Sequence, residues 1–208
     1  MKNGFSGNRQ RDRFYFLSSN SDSESCMINT MIITRLAPKD YDQFYSLRLE
    51  SLEECPEEFA TDAQSWKEAK RETINKLLIA REEKRDEAIF GAWKNDVLVG
   101  LLGVIRDLRP SITHKSSLWG FYVAPDHRKE GIGHALLQEA IKLARETDLR
   151  FIRAVVTVTS KDALSLLEKN GFKVTGYEPE AKRSNDNYFD QAYLWLPLLG
   201  QGRELPSP

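Results

Sequence analysis

The stretch Tyr122-Val-Ala-Pro-Asp-His-Arg-Lys-Glu-Gly-Ile-Gly-His-Ala-Leu-Leu137 constrains this chain more than any other. An apolar run ends at Pro125, a polar loop with two glycines follows, and a helix starts at once. Leu136, Leu137, Ala140, Ile141 and Ala144 recur at the spacing of one buried helix face. A helix N-terminus presents unpaired backbone N–H groups and a partial positive charge, which suits phosphate oxygens. Gly131 and Gly133 remove Cβ atoms where a diphosphate would approach the backbone, and Arg128 adds a charge-assisted contact or braces the loop. Other phosphate loops fit less well. A dinucleotide fingerprint needs glycine where Leu136 stands, and no Gly-Lys-Ser/Thr ending is present. A bare Gly-x-Gly would read as a tight turn and nothing more; Arg-x-x-Gly-x-Gly placed after a strand-ending Val-x-Pro is far more specific.

The flanking pattern places this unit in a mixed sheet. Met31–Leu36 reads as a strand, and Pro38 and Asp40 open a helix with Tyr41, Phe44, Tyr45, Leu49 and Leu52 on one side, ended by Pro56. A second helix is predicted over Gln64–Arg81. Ala88–Trp93 and Val97–Ile105 form a hairpin through Lys94-Asn95-Asp96, and Ser116–Ala124 is a third strand of the series. Gly131–Glu146 is helical, Arg150–Val158 a β-branched strand, and Lys161–Asn170 a helix stopped by Gly171, an αL C-cap residue. Phe172–Tyr177 and Tyr188–Leu196 close the series. The order β-α-α-β-β-β-α-β-α-β-β is that of an α/β (α+β) mixed sheet with helices on its faces.

Composition excludes more than it assigns. The 208 residues suffice for one domain at roughly 100–200 residues each. Residues 1–30 are polar and serine-rich without periodicity and read as a disordered tail, with Met27 and Met31 both preceding the domain start, so that the tail reads as an upstream extension of the reading frame. The domain spans 31–199, and 200–208 forms a C-terminal tail. A net charge of −1 argues against nucleic-acid and membrane-surface partners. The longest apolar run, Val97–Ile105, is far too short for a membrane span. Two separated cysteines and three histidines give no metal-ligand spacing, and a reduced, cytoplasmic setting is expected.

Val123-x-Pro125-x-x-Arg128-x-x-Gly131-x-Gly133 resembles the signature of the GNAT superfamily of acetyl-CoA-dependent N-acetyltransferases. Ser160-x-x-Ala163 followed by Asn170-Gly171-Phe172 is similar to a second block of that family. The resemblance implies the GNAT fold, with acetyl-CoA as co-substrate and no metal. It implies that backbone groups of Phe121, Tyr122 and Val123 pair with the pantetheine arm. It also implies that Arg128, Lys129, Glu130, Gly131, Ile132, Gly133, His134 and Ala135 wrap the pyrophosphate. Ser160 stands where the family has asparagine, although Thr159 and Asp162 are also spaced as a helix capping box. Arg48-x-x-x-Leu52-x-x-x-Pro56-x-x-Phe59 and Leu118–Val123 resemble one group of small bacterial-type members, which makes Phe59 and Trp119 candidates for a hydrophobic acceptor wall. Glu53, Glu54, Glu57 and Glu58 crowd the same loop, either as an attractor for a cationic amine or as a solvated helix end.

The pattern departs from the family at the chemistry. The usual general-acid tyrosine is Leu167, and the usual base positions are Ser117 and Val155. A thiol of pKa about 8.5 leaves adequately without an acid. His114, with a reference pKa in the useful range, and Tyr188 are the remaining catalytic candidates, each weighed against a surface-loop or core-facing role. The expected activity is transfer of an acetyl group to a primary amine, on a small molecule or peptide, by direct attack in a ternary complex. An acyl-CoA-binding sensor and a protein N-terminal acetyltransferase are the alternatives, with a homodimer open as an assembly state.

Overall fold

The computed structural model describes residues 14–16 and 31–198. Apart from Phe14–Phe16, the segments read as tails, 1–30 and 200–208, lie outside the described residues. Eight strands form one sheet: β1 (Phe14–Phe16), β2 (Met31–Arg35), β3 (Ala88–Lys94), β4 (Val97–Arg106), β5 (Lys115–Val123), β6 (Phe151–Thr157), β7 (Lys173–Ser184) and β8 (Asn187–Pro197). Their spatial order is β1-β2-β3-β4-β5-β6-β8-β7. Every neighbouring pair is antiparallel except β5 with β6. The helices are α1 (Tyr41–Glu54), α2 (Ala63–Glu68), α3 (Arg71–Glu82), α4 (Ile132–Arg145) and α5 (Lys161–Lys169). The expected mixed α/β architecture is present.

Alternation along β3 shows how the sheet divides the core. Ala88, Phe90 and Ala92 pack with α4 and α5 on one face, whereas Ile89 packs with α1 and α3 on the other. The β3–β4 turn at Asn95 and Asp96 has positive φ at both residues, as a two-residue hairpin requires.

Three elements differ from the sequence expectation. The predicted helix over Gln64–Arg81 is two helices, broken at Ala69 and Lys70, which are both extended. A continuous helix at 3.6 residues per turn would turn Trp66 about 80° away from Ile74. The break lets Trp66 pack edge-on against Phe44 and donate from Nε1 to the Tyr45 carbonyl at 3.2 Å, while Ile74 and Leu78 stay buried. β7 runs on to Ser184, through the polar Pro179 segment that gave no strand signal. A register shift between Glu178 and Lys182 absorbs Pro179, and Asp190 Oδ1 holds the irregularity by accepting from Glu180 N at 2.8 Å. Lastly, β1 lies inside the segment read as a tail and pairs antiparallel with β2, Phe14 opposite Ile33. Among the described residues, no helix is long and apolar enough to cross a membrane.

Candidate active site

The site originates in an incomplete strand pair. β5 and β6 are partners only from Lys115 to Ser117 opposite Phe151 to Arg153. This end is fastened twice, by Arg150 N to the His114 carbonyl at 2.8 Å and by Arg106, which bridges Asp86 (2.6 Å), Asp148 (2.7 Å) and the Thr113 carbonyl (2.6 Å). Beyond it, β5 continues through Leu118–Val123 bonded to β4, and β6 continues through Ala154–Thr157 bonded to β8. The facing edges of the two strands have no ladder partner among the described residues, and a cavity of about 1450 Å³ occupies the gap.

β5 also carries a bulge. Between the Leu101–Tyr122 and Gly103–Trp119 pairs it holds one more residue than β4 does. Gly120 adopts φ +61° there, and an added Cβ would come within 3.2 Å of the Leu101 side chain. A bulge bends its strand and leaves an amide out of the ladder.

The mouth of the gap is the α4 N-terminus. Gly131 is its N-cap at φ +83° and supplies no side-chain cap, so the first-turn amides rely on other partners. A Cβ at Gly131 would meet nothing within 4 Å, whereas one at Gly133 would meet Leu166 at 3.2 Å and Phe121 at 3.4 Å. The two glycines therefore do different work: Gly133 admits close packing, and Gly131 turns the chain beside open space. Arg128 braces the loop, donating from Nε to the Val123 carbonyl at 3.0 Å and pairing with Glu54 at 2.8 Å. The Tyr122 hydroxyl shares its single proton between Glu50 and the same Glu54 carboxylate. Burial would raise the Glu54 pKa, but the bonds from Tyr122 and Arg128 outweigh it and hold the carboxyl below its ordinary range.

Most residues singled out in the sequence converge on this cavity. Phe121, Tyr122 and Val123 line it from β5. Arg128, Lys129, Gly131, Ile132, Gly133 and His134 line it from the loop and α4, and Ser160, Phe59 and Trp119 complete the set. Glu130 and Ala135 are not in the lining: Glu130 pairs with Lys94 at 2.7 Å, and the Ala135 amide is bonded to the Gly131 carbonyl at 3.0 Å. His114 sits at the fastened end, edge-on to Phe151, and does not line the cavity. Tyr188 lies near the β7–β8 turn, 59% exposed, opposite Arg183, and is likewise outside the lining. Leu167 is 1% exposed and packs into the core with α4, and it also borders the cavity. The Thr159–Asp162 capping box does not form: Ser160 is the N-cap of α5, and its hydroxyl donates to Glu58 instead.

Two residues gain importance only in the structure. Glu58, read merely as one of an acidic group, crosses from the α1–α2 loop to the end of β6, where it also accepts from Thr157 N at 3.4 Å. It is a carboxylate of the cavity wall. Arg48 is buried beside Phe59 and Trp119. Cys55 also lines the cavity, and burial with Glu54 and Glu57 nearby pushes its thiol up to about 11, so it stays protonated near neutrality.

The model of the Acetyltransferase (GNAT) family matches residues 43–172. A Bacillus subtilis protein, YwnH, to which its name ascribes phosphinothricin acetyltransferase activity, is 30% identical over 88 residues. That match covers 42% of this chain and 51% of YwnH, so the chain spans about half the length of this relative. Among solved structures, a GNAT-family acetyltransferase from Streptococcus pneumoniae superposes with a TM-score of 0.73 at 20% identity, covering 81% of this chain and 99% of that one. The Salmonella typhimurium protein yncA, whose structure holds acetyl-CoA, gives a TM-score of 0.73 at 17% identity over 85% of this chain and 99% of that one.

Proposed function

This chain belongs to the acetyltransferase (GNAT) family, and from that premise we propose that it transfers the acetyl group of acetyl-CoA to a primary amine by direct attack in a ternary complex. The observation that carries this reading is the splayed β5–β6 gap with the uncapped α4 N-terminus at its mouth. The residues present suit the cofactor: an extended arm can bond to the free edge of β5, and open space beside Gly131 admits a diphosphate against the first-turn amides. When bound, acetyl-CoA supplies an electrophilic thioester carbonyl and a thiolate leaving group.

The chain's own residues then bind, orient and move protons. Amides of the bulged β5 segment polarise an oxygen held against them, at no reorganisation cost. Cys55 keeps its proton and so does not compete as a nucleophile, which supports attack by the amine itself. With Ser117 bonded to Arg153 at 3.2 Å and Val155 apolar, neither usual base position holds a base. Glu58 takes that role, receiving the ammonium proton directly or through one water. Leu167 carries no proton to donate, so a thiolate leaving group would receive no acid from this position.

The test follows free-thiol release from acetyl-CoA across a panel of peptides, polyamines, aminoglycosides and amino acids. Saturable, amine-dependent release is expected. Tight acetyl-CoA binding with no release from any of them would overturn the transferase reading in favour of a sensor.

A further inference from the structure

One buried cation in the cavity wall, Arg48, has no counter-ion among the described residues. Arg48 is 2% exposed and lines the cavity. Its hydrogen bonding is limited to Nη1 donating to Ser51 Oγ at 3.3 Å, and Nε is buried without a partner. The guanidinium carbon lies 4.2 Å from the Phe59 ring centroid and 4.7 Å from that of Trp119. Such contacts use ring faces and leave the N–H donors along the Nε edge unmet. Burial lowers the Arg48 pKa to about 10 with no carboxylate raising it.

Three of the acidic residues nearby are already engaged: Glu53 with Lys67 at 2.6 Å, Glu54 with Arg128, and Glu58 with Ser160 and Thr157. Behind the Phe59 loop, Lys182 donates to the Pro56 carbonyl at 2.7 Å and to the Phe59 carbonyl. Burial lowers its pKa and Arg48 lowers it further, against the opposing pull of Glu58 and Glu57. The region around Phe59 thus holds two cations bonded to neutral oxygens.

Elsewhere in this protein the same guanidinium edge is filled. Arg109 donates to Asp107 from Nε at 2.9 Å and from Nη2 at 2.5 Å, the side-on fork that fits a carboxylate. In Arg48 the Nε of the corresponding edge is buried without an acceptor, and Nη2 has none among the described residues.

We propose that Arg48 sets acceptor specificity: its Nε–Nη2 edge receives a carboxylate of the incoming amine, so the acceptors are amino acids and related amines that carry an acid group. The proposal rests on the acetyltransferase reading. Arg48 beside Phe59 and Glu58 next in sequence supply one positive and one negative group to the same wall, as a zwitterionic acceptor needs. A polycation such as a polyamine would instead bring like charge toward a buried guanidinium.

Matched pairs test it. Each L-amino acid is assayed against its α-amide by free-thiol release. The N-acetyl forms of both are titrated calorimetrically into the CoA-loaded protein. The acids are expected to exceed their amides by about 10- to 100-fold in kcat/KM, the range for hydrogen bonds to a charged group. Arg48→Met should reduce the acids to the level of the amides without changing acetyl-CoA affinity, and Arg48→Lys should fall between. Equal handling of acids and amides by the unaltered protein, or a preference that survives Arg48→Met, overturns the role of Arg48 and leaves the transferase reading standing. Failure of every amine to release thiol sinks the transferase reading instead. The titration still decides Arg48 in that case: Arg48-dependent preference for the N-acetyl acids supports the site, and no preference overturns it.

Discussion

Replacing Gly131 separates backbone strain from cofactor binding. The residue caps α4 at φ +83°, and a Cβ there meets no protein atom within 4 Å. Gly131→Ala therefore causes no collision within the protein. Its backbone cost is that of a left-handed non-glycine residue, roughly 1–2 kcal/mol. At about 2–4 °C per kcal/mol for a domain of this size, the melting midpoint should fall by about 2–8 °C. The methyl group also enters the space beside the first-turn amides. Losing one charge-assisted contact there should weaken acetyl-CoA binding by about 10-fold or more, measured by calorimetry. Gly131→Asn divides the two effects, because asparagine tolerates the left-handed region. Its midpoint should lie nearer that of the unaltered protein, with affinity still lost. Gly176→Ala serves as a control, since its Cβ also meets open space without a positive φ, and it should leave acetyl-CoA affinity unchanged. A lowered midpoint with unchanged affinity in Gly131→Ala would refute the assignment of this loop to the pyrophosphate.

Glu58→Gln should lower kcat by about 100-fold while acetyl-CoA affinity holds, and an unchanged kcat would remove Glu58 as the base. Tyr122→Phe removes a bond to Glu54. Because the folded Glu54 pKa is depressed, its stabilisation is complete above the ordinary carboxylate value of about 4.3 and disappears as pH falls through the lower folded value. Thermal melts from pH 6 to 3 should accordingly show a shallower acid slope in this variant, and an identical slope would refute the coupling. In a Cys26→Ser background, Cys55 should react slowly with a thiol reagent at pH 7.5 and accelerate as pH approaches 11; fast reaction at neutrality would contradict the raised thiol pKa.

The relation between sequence and structure follows the range of the interactions involved. The loop from Val123 to Gly133 is legible because its determinants are local: a strand-ending proline, a glycine able to take positive φ, and an apolar helical stripe. Gly171 is legible for the same reason, and it ends α5 as expected. The Phe172 amide reaches the Leu167 carbonyl at 3.1 Å and the Gly171 amide the Glu168 carbonyl at 2.9 Å. The Asn95-Asp96 turn likewise carries its own conformational signal.

What the tertiary structure decided is non-local. Whether β5 and β6 remain paired beyond Ser117 depends on segments more than 30 residues apart, and the Gly120 bulge is defined only against β4. The break at Ala69 has no proline or glycine to announce it, and Trp66 and Ile74 on either side of it are buried in one core. His114 stands beside β5 in sequence, yet the fastening of His114 to Arg150 puts it at the closed end of the sheet. Arg48 shows the division most clearly. Its place at helical spacing is written in the chain, but its burial against Phe59 and Trp119 without a counter-ion comes from packing α1 and its loop over the bulged strand. The sequence by itself determined the mixed α/β order of elements and the Val123–Gly133 turn into α4, because apolar periodicity and short-range backbone preferences set both. The tertiary structure alone decided which charges line the cavity, because burial and pairing depend on neighbours distant in the chain.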